Sequence, residues 1–201
     1  MESSTKIIAL KGQYILAMGH AHRIWATPIE YEVYHKKETL KGCNITINDK
    51  KMPQSLVQNY MHIVFSTKHR APMIVPPYET ELHSYLGGIC NNMECQSIKI
   101  GGYSDHIHIL CMLSKKIALM KLLEEVKSHS SKWMKTKDRS LSNFYWQDGY
   151  GAFSVNPAQV DTVIAYITNQ HEHHKKKTFK EEYRAFLKKY KVQYDERYVW
   201  D

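Results

Sequence analysis

Cysteine is scarce in this chain of 201 residues, and its spacing does not suit cross-linking. The four cysteines are Cys43, Cys90, Cys95 and Cys111, and no two of them form a C-x-x-C pair. Zinc fingers and disulfide frameworks depend on regular, paired spacings of this kind. The sequence therefore argues against both, and it predicts free thiols in a reducing compartment.

Three further features are missing. The amino-terminal residues do not combine a basic segment with an apolar one, as a signal peptide does. No apolar run approaches the length of a membrane span. The sequence also has no G-x-x-x-x-G-K-[ST] loop, which motor enzymes use to bind nucleotide phosphates. We therefore expect a cytoplasmic protein without a helicase module.

Positive charge is in excess. The chain carries 28 Lys and Arg against 20 Asp and Glu, which gives a formal net charge of +8. A basic protein suits nucleic acid or another polyanion, although charge alone names no partner. Hydrophobic residues make up 43% of the chain. That share is enough to bury a core and argues against global disorder.

Three regions differ in composition. Residues 1–51 contain short apolar pieces without a sustained helical period, followed by a stretch rich in Lys, Glu and Asn. We interpret them as a weakly structured amino-terminal extension, or as translated upstream sequence if Met52 is the natural start. Residues 52–190 have regular patterns and form the predicted domain. Residues 191–201 form a polar and aromatic tail.

Hydrophobic periodicity predicts strands and helices in alternation through this domain. The predicted strands cover residues 60–67, 96–100 and the segment from His106, followed by a hairpin of residues 144–147 and 150–155. The predicted helices cover residues 78–93, 117–133, 157–174 and 178–190. Gly101-Gly102 predicts a bulge or bend. This order predicts an α+β fold, in which an antiparallel sheet has helices packed on one face, of ferredoxin-like or RNA-recognition-like type.

Two histidines stand close together in the third predicted strand. Side chains alternate between the two faces of a strand, so His106 and His108 point the same way and Ile107 points into a core. Paired imidazoles on a rigid strand form a plausible half of a metal site. Taken alone, such a pair is more often structural or solvent-facing, so the other half of a site has to come from elsewhere in the chain.

The helix that opens at Asn156-Pro157 carries a second polar group. Tyr166 and Gln170 are four residues apart and are therefore neighbours on one helix face, and His173 projects nearby. At 100° per residue, this face lies off the apolar stripe of the same helix. We therefore expect it to face something other than the core of its own chain.

A tyrosine beside metal ligands has a particular chemical use. A phenolate can attack a phosphodiester to form a covalent phosphotyrosine, and a divalent cation can polarise the phosphate under attack. Two imidazoles and an amide oxygen form a mixed nitrogen and oxygen site that suits Mg²⁺ or Mn²⁺.

Four blocks of sequence, in this order, carry a resemblance to a known family. They are residues 60–70 (YMHIVFSTKHR), 105–110 (DHIHIL), 145–155 (YWQDGYGAFSV) and 166–174 (YITNQHEHH). The His-Ile-His triplet resembles the His-hydrophobic-His (HUH) motif of single-tyrosine endonucleases. Together the blocks resemble the single-tyrosine HUH transposases of small insertion sequences, the two-hundred/six-hundred-and-five group, and their REP-associated relatives. The resemblance covers residues 52–190.

The resemblance implies an HUH endonuclease fold and a DNA transposase that cleaves and rejoins single-stranded DNA at insertion-sequence ends. Tyr166 would be the nucleophile and would leave a 5′-phosphotyrosine and a free 3′-hydroxyl. His106, His108 and Gln170 would hold the divalent metal, Mg²⁺ or Mn²⁺. The DNA would carry hairpins at the element ends. A homodimer would complete each active site in trans with the tyrosine helix of the other subunit.

Neighbouring histidines and one carboxylate have smaller expected roles. Asp105 is most simply a turn residue, and the alternative is a position behind the metal ligands. His171, His173 and His174 are expected to be ordinary helix-end histidines, with His173 the nearest of them to the site.

Three basic residues after the first strand leave two interpretations open. Lys68, His69 and Arg70 form either a solvated loop or, given the family resemblance, a contact with the DNA backbone.

Two other functions share parts of the pattern. A non-catalytic module that binds single-stranded nucleic acid would use an RNA-recognition-like sheet, but His106 and His108 occupy the strand where its stacking aromatic residues belong. A replication or plasmid-transfer HUH nuclease would share the chemistry. Such proteins commonly carry helicase domains, for which this chain has no room.

Overall fold

The computed structural model describes residues 55–200. The two interpretations of residues 1–51, an extension or an upstream reading, lie outside the described residues. The strands of the described part are β1 (Tyr60–Ser66), β2 (Gln96–Tyr103), β3 (His106–Met112) and β4 (Gly151–Ser154). Its helices are α1 (Tyr78–Asn92), α2 (Leu119–Lys135), α3 (Val160–Thr168), α4 (Gln170–His173) and α5 (Phe179–Lys189).

The four strands form one antiparallel sheet in the order β2-β3-β1-β4. The two strands with the most apolar sequences, β1 and β3, occupy the centre, where both faces of a strand are covered. They pair along their whole length, from Tyr60 opposite Met112 to Ser66 opposite His106. The predicted α+β class with an antiparallel sheet is confirmed.

Helices cover both faces of the sheet, so the prediction that they pack on one face is wrong. Helices α1 and α2 pack against Ile63, Phe65, Ile107 and Ile109. Helices α3 and α5 pack against the opposite face, where Val64 and Leu110 are buried among their apolar side chains, and α4 follows α3 on that side. Central strands with apolar residues at successive positions require cover on both sides.

The predicted hairpin around Asp148-Gly149 is also wrong. Trp146 forms a bridge to Thr67, and β4 pairs with Met61–Val64, so both pieces run beside β1 instead of pairing with each other. The turn residues form a loop between them, and the Lys127 ammonium donates hydrogen bonds to the carbonyls of residues 147, 148 and 149 in that loop. Residues 146–154 therefore form one interrupted edge strand.

The glycine pair in β2 does not mark a bulge there. The irregularity in register falls between Ser97 and Lys99, and β2 continues through the glycines to Tyr103. A Cβ atom at Gly101 would lie 2.7 Å from the carbonyl oxygen of Ile167 in α3. The residue is a glycine because α3 crosses the strand at close range.

Three cysteines fall within the described residues. Cys90, Cys95 and Cys111 are buried and free, which confirms the prediction of free thiols for these three positions. Between residues 55 and 200, none of the helices has the length and apolar character that crossing a membrane requires.

Candidate functional site

The predicted alternation of side chains in β3 is confirmed. Ile107 lies in the core under α1 and α2, while His106 and His108 lie on the opposite face, both without solvent exposure. The neighbouring strand adds a third imidazole to this face. His62 of β1 is buried, and its Nε2 lies 3.0 Å from His108 Nδ1.

The predicted continuous helix of residues 157–174 is interrupted at Asn169, where α3 ends and α4 begins. Despite this break, Tyr166 and Gln170 meet at one atom. The Tyr166 hydroxyl and the Gln170 side-chain amide both donate hydrogen bonds to Oε1 of Glu182. The two residues predicted to be neighbours are therefore brought together.

The polar face of α3 and α4 contacts its own chain, which overturns the expectation that it faces elsewhere. Gln170 is 1% exposed, and its Oε1 lies 3.3 Å from His106 Nε2. The Tyr166 ring stands edge-on to the His108 ring, with centroids 5.8 Å apart. The helix lies across the sheet face that carries the histidines, so its polar residues complete a buried polar site in the same chain.

Glu182 of α5 is the centre of the cluster. It is 3% exposed, and its Oε2 lies 3.2 Å from His174 Nε2, 3.5 Å from His108 Nε2 and 3.7 Å from His106 Nε2. The helix carries Glu182 inward because the residue stands three positions after Phe179 and four before Phe186, on the side of α5 that packs against the sheet.

The two histidines after Gln170 occupy different positions. His173 lies beside Tyr166, with its Nε2 3.5 Å from Glu182 Oε1, and so approaches the site as expected. His174 was expected to be an ordinary helix-end residue, and this is wrong. Its side chain is almost fully buried, stacks on Tyr103 and contacts the ring of His106. It stands four residues after Gln170, on the same side of the chain.

The outer nitrogens of the clustered imidazoles are held by hydrogen-bond partners. Asp105 Oδ1 lies 2.7 Å from His106 Nδ1, which places Asp105 behind that histidine. His174 Nδ1 donates to the carbonyl of Lys177, and His108 Nδ1 faces His62. Such partners orient a ring and fix which nitrogen carries its proton. In each ring, Nε2 is left facing Glu182.

Burial controls the charge of the cluster. It lowers the pKa values of His108 and His62 well below the usual imidazole value, and neighbouring imidazoles add to the effect. Burial also lowers the pKa of His174 to about 4. The same desolvation raises the pKa of Glu182 to about 7, against the opposing attraction of His106. Near neutral pH these three imidazoles are uncharged, and a neutral imidazole is the form that binds metal.

The site passes a test of fitness for a cation. His108 Nε2, His174 Nε2 and Glu182 Oε2 are buried and have no hydrogen-bond partner. Buried polar atoms nearly always have a hydrogen-bond partner, and a buried polar atom without one costs roughly 1–3 kcal/mol of stability. The potential ligand atoms of His106, His174 and Glu182 lie within 4.8 Å of one another. A divalent cation would satisfy these acceptors together.

Cavities open on two sides of the cluster. One, of about 410 Å³, is bordered by Asp105, His174 and the three consecutive lysines of residues 175–177. A smaller one, of about 160 Å³, is bordered by Tyr166, His173 and Glu182. Lys177 borders both. An anionic polymer could therefore approach the tyrosine and the histidines through basic surroundings.

The basic triplet after β1 lies beside this region without joining the cluster. Lys68 forms an exposed ion pair with Asp148, and Arg70 donates to the carbonyl of Trp200. His69 is exposed. The backbone amide of Thr67, just before the triplet, donates to the Asp105 carbonyl. The contact of Lys68, His69 and Arg70 with a DNA backbone stays a prediction.

Sequence reasoning missed Glu182, His174 and His62. Glu182 could have been noticed, because it is a charged residue within the apolar stripe of an amphipathic helix. His174 continues the spacing of four from Tyr166 through Gln170. His62 is the polar residue of a strand that otherwise reads as core, and its pairing with His108 depends on the register of two strands, which no local pattern shows.

The chain is similar to solved structures and to one family model. No curated protein matches the chain. Among solved structures, a putative transposase from Deinococcus radiodurans R1 is 18% identical, with a TM-score of 0.47 over 59% of this chain and 95% of that one. A REP-associated tyrosine transposase bound to a REP hairpin is 12% identical, with a TM-score of 0.47 over 61% of this chain and 72% of that one.

A family model provides the identification. The model described as "Transposase IS200 like" matches residues 55–170. The match spans more than half of the 201 residues, and it includes β1, the His-Ile-His strand, Tyr166 and Gln170. The chain therefore belongs to the family of IS200-like transposases.

Proposed function

We propose that this transposase cleaves and rejoins single-stranded DNA at insertion-sequence ends through Tyr166. The observation that carries the proposal is the position of the Tyr166 hydroxyl, which is hydrogen-bonded to Glu182 inside a buried cluster of His106, His108 and Gln170. A tyrosine hydroxyl that lies beside potential metal ligands is suited to nucleophilic attack on a phosphate group.

The proposed reaction exchanges one phosphoester bond for another. The Tyr166 oxygen bonds to the phosphorus, the bond from phosphorus to the 3′-oxygen breaks, and the DNA 5′ end stays attached as a phosphotyrosine. In rejoining, a free 3′-hydroxyl attacks that phosphotyrosine and releases Tyr166. Because the bond energy is conserved, no ATP is required.

The residues around Tyr166 have distinct proposed roles. His106, His108 and Gln170 hold a divalent cation, Mg²⁺ or Mn²⁺, and Asp105 and His62 orient the two rings from behind. When bound, the cation supplies charge stabilisation for the phosphate under attack. Glu182 Oε1 orients the phenol, and the burial of the cluster excludes competing water.

The proposed substrate is single-stranded DNA with hairpins at the element ends. The three lysines of residues 175–177 border the cavity beside the cluster and suit contacts with phosphates. We assign the activity to the domain of residues 52–190, with residues 191–201 as its tail. A homodimer belongs to the same proposal. The single chain already brings Tyr166 to its own His108, so completion of the active sites in trans is the part of the expectation that this geometry argues against.

A covalent-trapping experiment tests the proposal. Full-length protein is incubated with labelled single strands of the DNA that flanks its gene, with Mg²⁺ or Mn²⁺, and the protein–DNA adduct is counted on a denaturing gel. We expect an adduct that needs the cation and disappears in Tyr166→Phe. Tyr145→Phe, which alters an exposed tyrosine, serves as the matched control. An adduct that persists in Tyr166→Phe would refute the assignment.

A further inference from the structure

Two members of the cluster lie beyond the part of the chain that matches the family. The match ends at residue 170, whereas His174 follows α4 and Glu182 belongs to α5. Both are almost fully buried at the histidine face, and neither appears in the ligand set that the resemblance implies. Their position therefore calls for an explanation specific to this chain.

Three imidazole nitrogens surround one carboxylate oxygen. Glu182 Oε2 is 3.2 Å from the Nε2 atom of His174 and within 3.7 Å of the Nε2 atoms of His106 and His108. None of these contacts gives Glu182 Oε2 a hydrogen bond. The Oε1 atom of the same carboxylate is fully engaged by Tyr166 and Gln170.

The hydrogen bonds of the Nδ1 atoms determine which nitrogen of each ring carries the proton, and so whether the Nε2 atom can act as an acceptor. The carbonyl of Lys177 can only accept, so His174 Nδ1 carries the ring proton and its Nε2 presents a lone pair. The Asp105 carboxylate, 2.7 Å away, favours the same state for His106. The inner surface of the cluster therefore presents the Nε2 lone pairs of His174 and His106 toward Glu182 Oε2.

A protonated histidine paired with Glu182 is the ordinary alternative. The distances work against it, because no inner nitrogen lies closer than 3.2 Å to Glu182 Oε2, whereas a charge-assisted hydrogen bond is roughly 2.7–2.9 Å long. Two of the three inner nitrogens, those of His108 and His174, also have no hydrogen-bond partner. A cation accounts for all of these acceptors at once.

We propose that His174 and Glu182 join His106 and His108 as ligands of the metal, and that this set selects a transition metal ion over Mg²⁺. The inference deepens the proposed function and rests on its metal site. Mg²⁺ prefers oxygen ligands and keeps several waters, whereas imidazole suits transition metal ions such as Zn²⁺, and the affinity of such a site rises from Mn²⁺ to Co²⁺. A site with three imidazoles and one carboxylate resembles the sites that bind transition metal ions rather than those that bind Mg²⁺.

The arrangement also joins two tasks in one residue. Glu182 contributes Oε2 to the metal and holds the hydroxyl of Tyr166 with Oε1. Metal binding therefore fixes the same side chain that positions the nucleophile.

Metal binding without DNA tests the inference. Full-length protein is freed of metal with a chelator and titrated with Co²⁺, and the visible absorption of the bound ion is followed. Competition then ranks Mn²⁺, Zn²⁺ and Mg²⁺. We expect Mg²⁺ to bind at least about tenfold more weakly than Mn²⁺. His174→Ala and Glu182→Gln should each weaken Co²⁺ binding by about tenfold or more and change its spectrum.

Matched controls come from the same part of the chain. His171→Ala changes an exposed histidine of α4, and Glu172→Gln changes an exposed carboxylate beside it. Both should bind Co²⁺ as the unaltered protein does. Circular dichroism checks that each variant is folded. Affinity and spectrum unchanged in folded His174→Ala and Glu182→Gln, or a preference for Mg²⁺, would overturn the inference.

Failure here is distinguishable from failure of the proposed function. Tyr166→Phe should keep Co²⁺ binding while it loses the DNA adduct. If the protein binds Co²⁺ through His174 and Glu182 but never forms an adduct, the metal site stands and the transposase chemistry fails. If the adduct forms but these two variants bind metal normally, the chemistry stands and this ligand set fails.

Discussion

The two faces of the central sheet are built from the same strands and differ in almost every other respect. Under α1 and α2, β3 presents Ile107 and Ile109 to a continuous apolar core. Under α3, α4 and α5, the same strand presents His106 and His108 to a buried polar cluster. The first face buries few polar groups, such as the Trp146 indole that donates to Ser130, whereas the second gathers buried polar atoms without hydrogen-bond partners, among them His108 Nε2, His174 Nε2 and Glu182 Oε2. The comparison predicts that substitutions on the first face change mainly stability and that substitutions on the second change mainly the proposed activity.

Neighbouring residues of β3 provide the sharpest way to break this comparison. His108→Ala should slow adduct formation by about a hundredfold or more, because cation stabilisation of the phosphate is worth several kcal/mol. Ile107→Val should leave the rate per folded molecule unchanged and lower the free energy of unfolding by about 0.5–1.5 kcal/mol. Adduct kinetics and urea unfolding measure the two effects. If Ile107→Val slowed the reaction as much as His108→Ala, the division between the faces would be wrong.

A mixing experiment asks whose helix covers the functional face. Tyr166→Phe and His106→Ala chains are each expected to be inactive alone. If the active sites form in trans within a homodimer, an equal mixture should recover about a quarter of the normal activity, since half of the dimers are mixed and each has one complete site. If the sites form within one chain, as the contacts of Tyr166 favour, the mixture should stay inactive. Co-refolding of the two chains ensures that subunits exchange.

The two faces were not equally predictable from sequence. The apolar face follows from period-two alternation in β1 and β3, and His106 and His108 follow from the same rule. Tyr166 and Gln170 follow from helical spacing. The remainder of the cluster depends on contacts between elements, because α5 delivers Glu182 to a strand about 75 residues earlier in the chain. No periodicity within one segment contains that information.

The errors in the fold have the same origin. Asp148-Gly149 is a sound local signal for a tight turn, but Lys127 of α2 binds the carbonyls of that loop and β1 pairs with both flanking pieces. Gly101-Gly102 is likewise a sound signal for an unusual backbone, and its real meaning is the close passage of α3. In both cases the local pattern marks an unusual backbone segment, and the structure of that segment depends on an element distant in sequence.

Gly101 gives a smaller perturbation that acts on the functional face alone. Gly101→Ala would place a Cβ against Ile167, so α3 must shift and carry Tyr166 with it. We expect a loss of about 1–3 kcal/mol in the free energy of unfolding, with a fall in adduct formation among the molecules that remain folded. Gly88→Ala is the control, because nothing lies within 4 Å of a Cβ there. It should stabilise helix α1 by about 0.5–1 kcal/mol and leave activity intact.

The smallest expected effect is an increase in the free energy of unfolding, whereas the preceding substitutions at functional positions lower activity or stability. Glu182→Gln keeps an oxygen that can accept from Tyr166 and Gln170, and it places an amide donor where Oε2 now faces His108 and His174. The metal-free variant should therefore be more stable than the unaltered protein, by about 1 kcal/mol. Chemical unfolding in the presence of a chelator measures the difference. A variant less stable than the unaltered protein above neutral pH would show that the carboxylate is well satisfied without metal.

The pH dependence of this difference follows from the sign of the pKa shift. Folding raises the pKa of Glu182 from 4.5 to about 7, so the folded protein binds the extra proton between these values and loses stability as the pH rises through them. The glutamine does not titrate, although its surroundings still include His106, His108, His173, His174 and Asp105. The free energy of unfolding of metal-free Glu182→Gln should therefore exceed that of the unaltered protein most above pH 7, and the difference should shrink as the pH falls toward 4.5. Added Mn²⁺ should reverse the order, because only the carboxylate can bind it as a charged ligand.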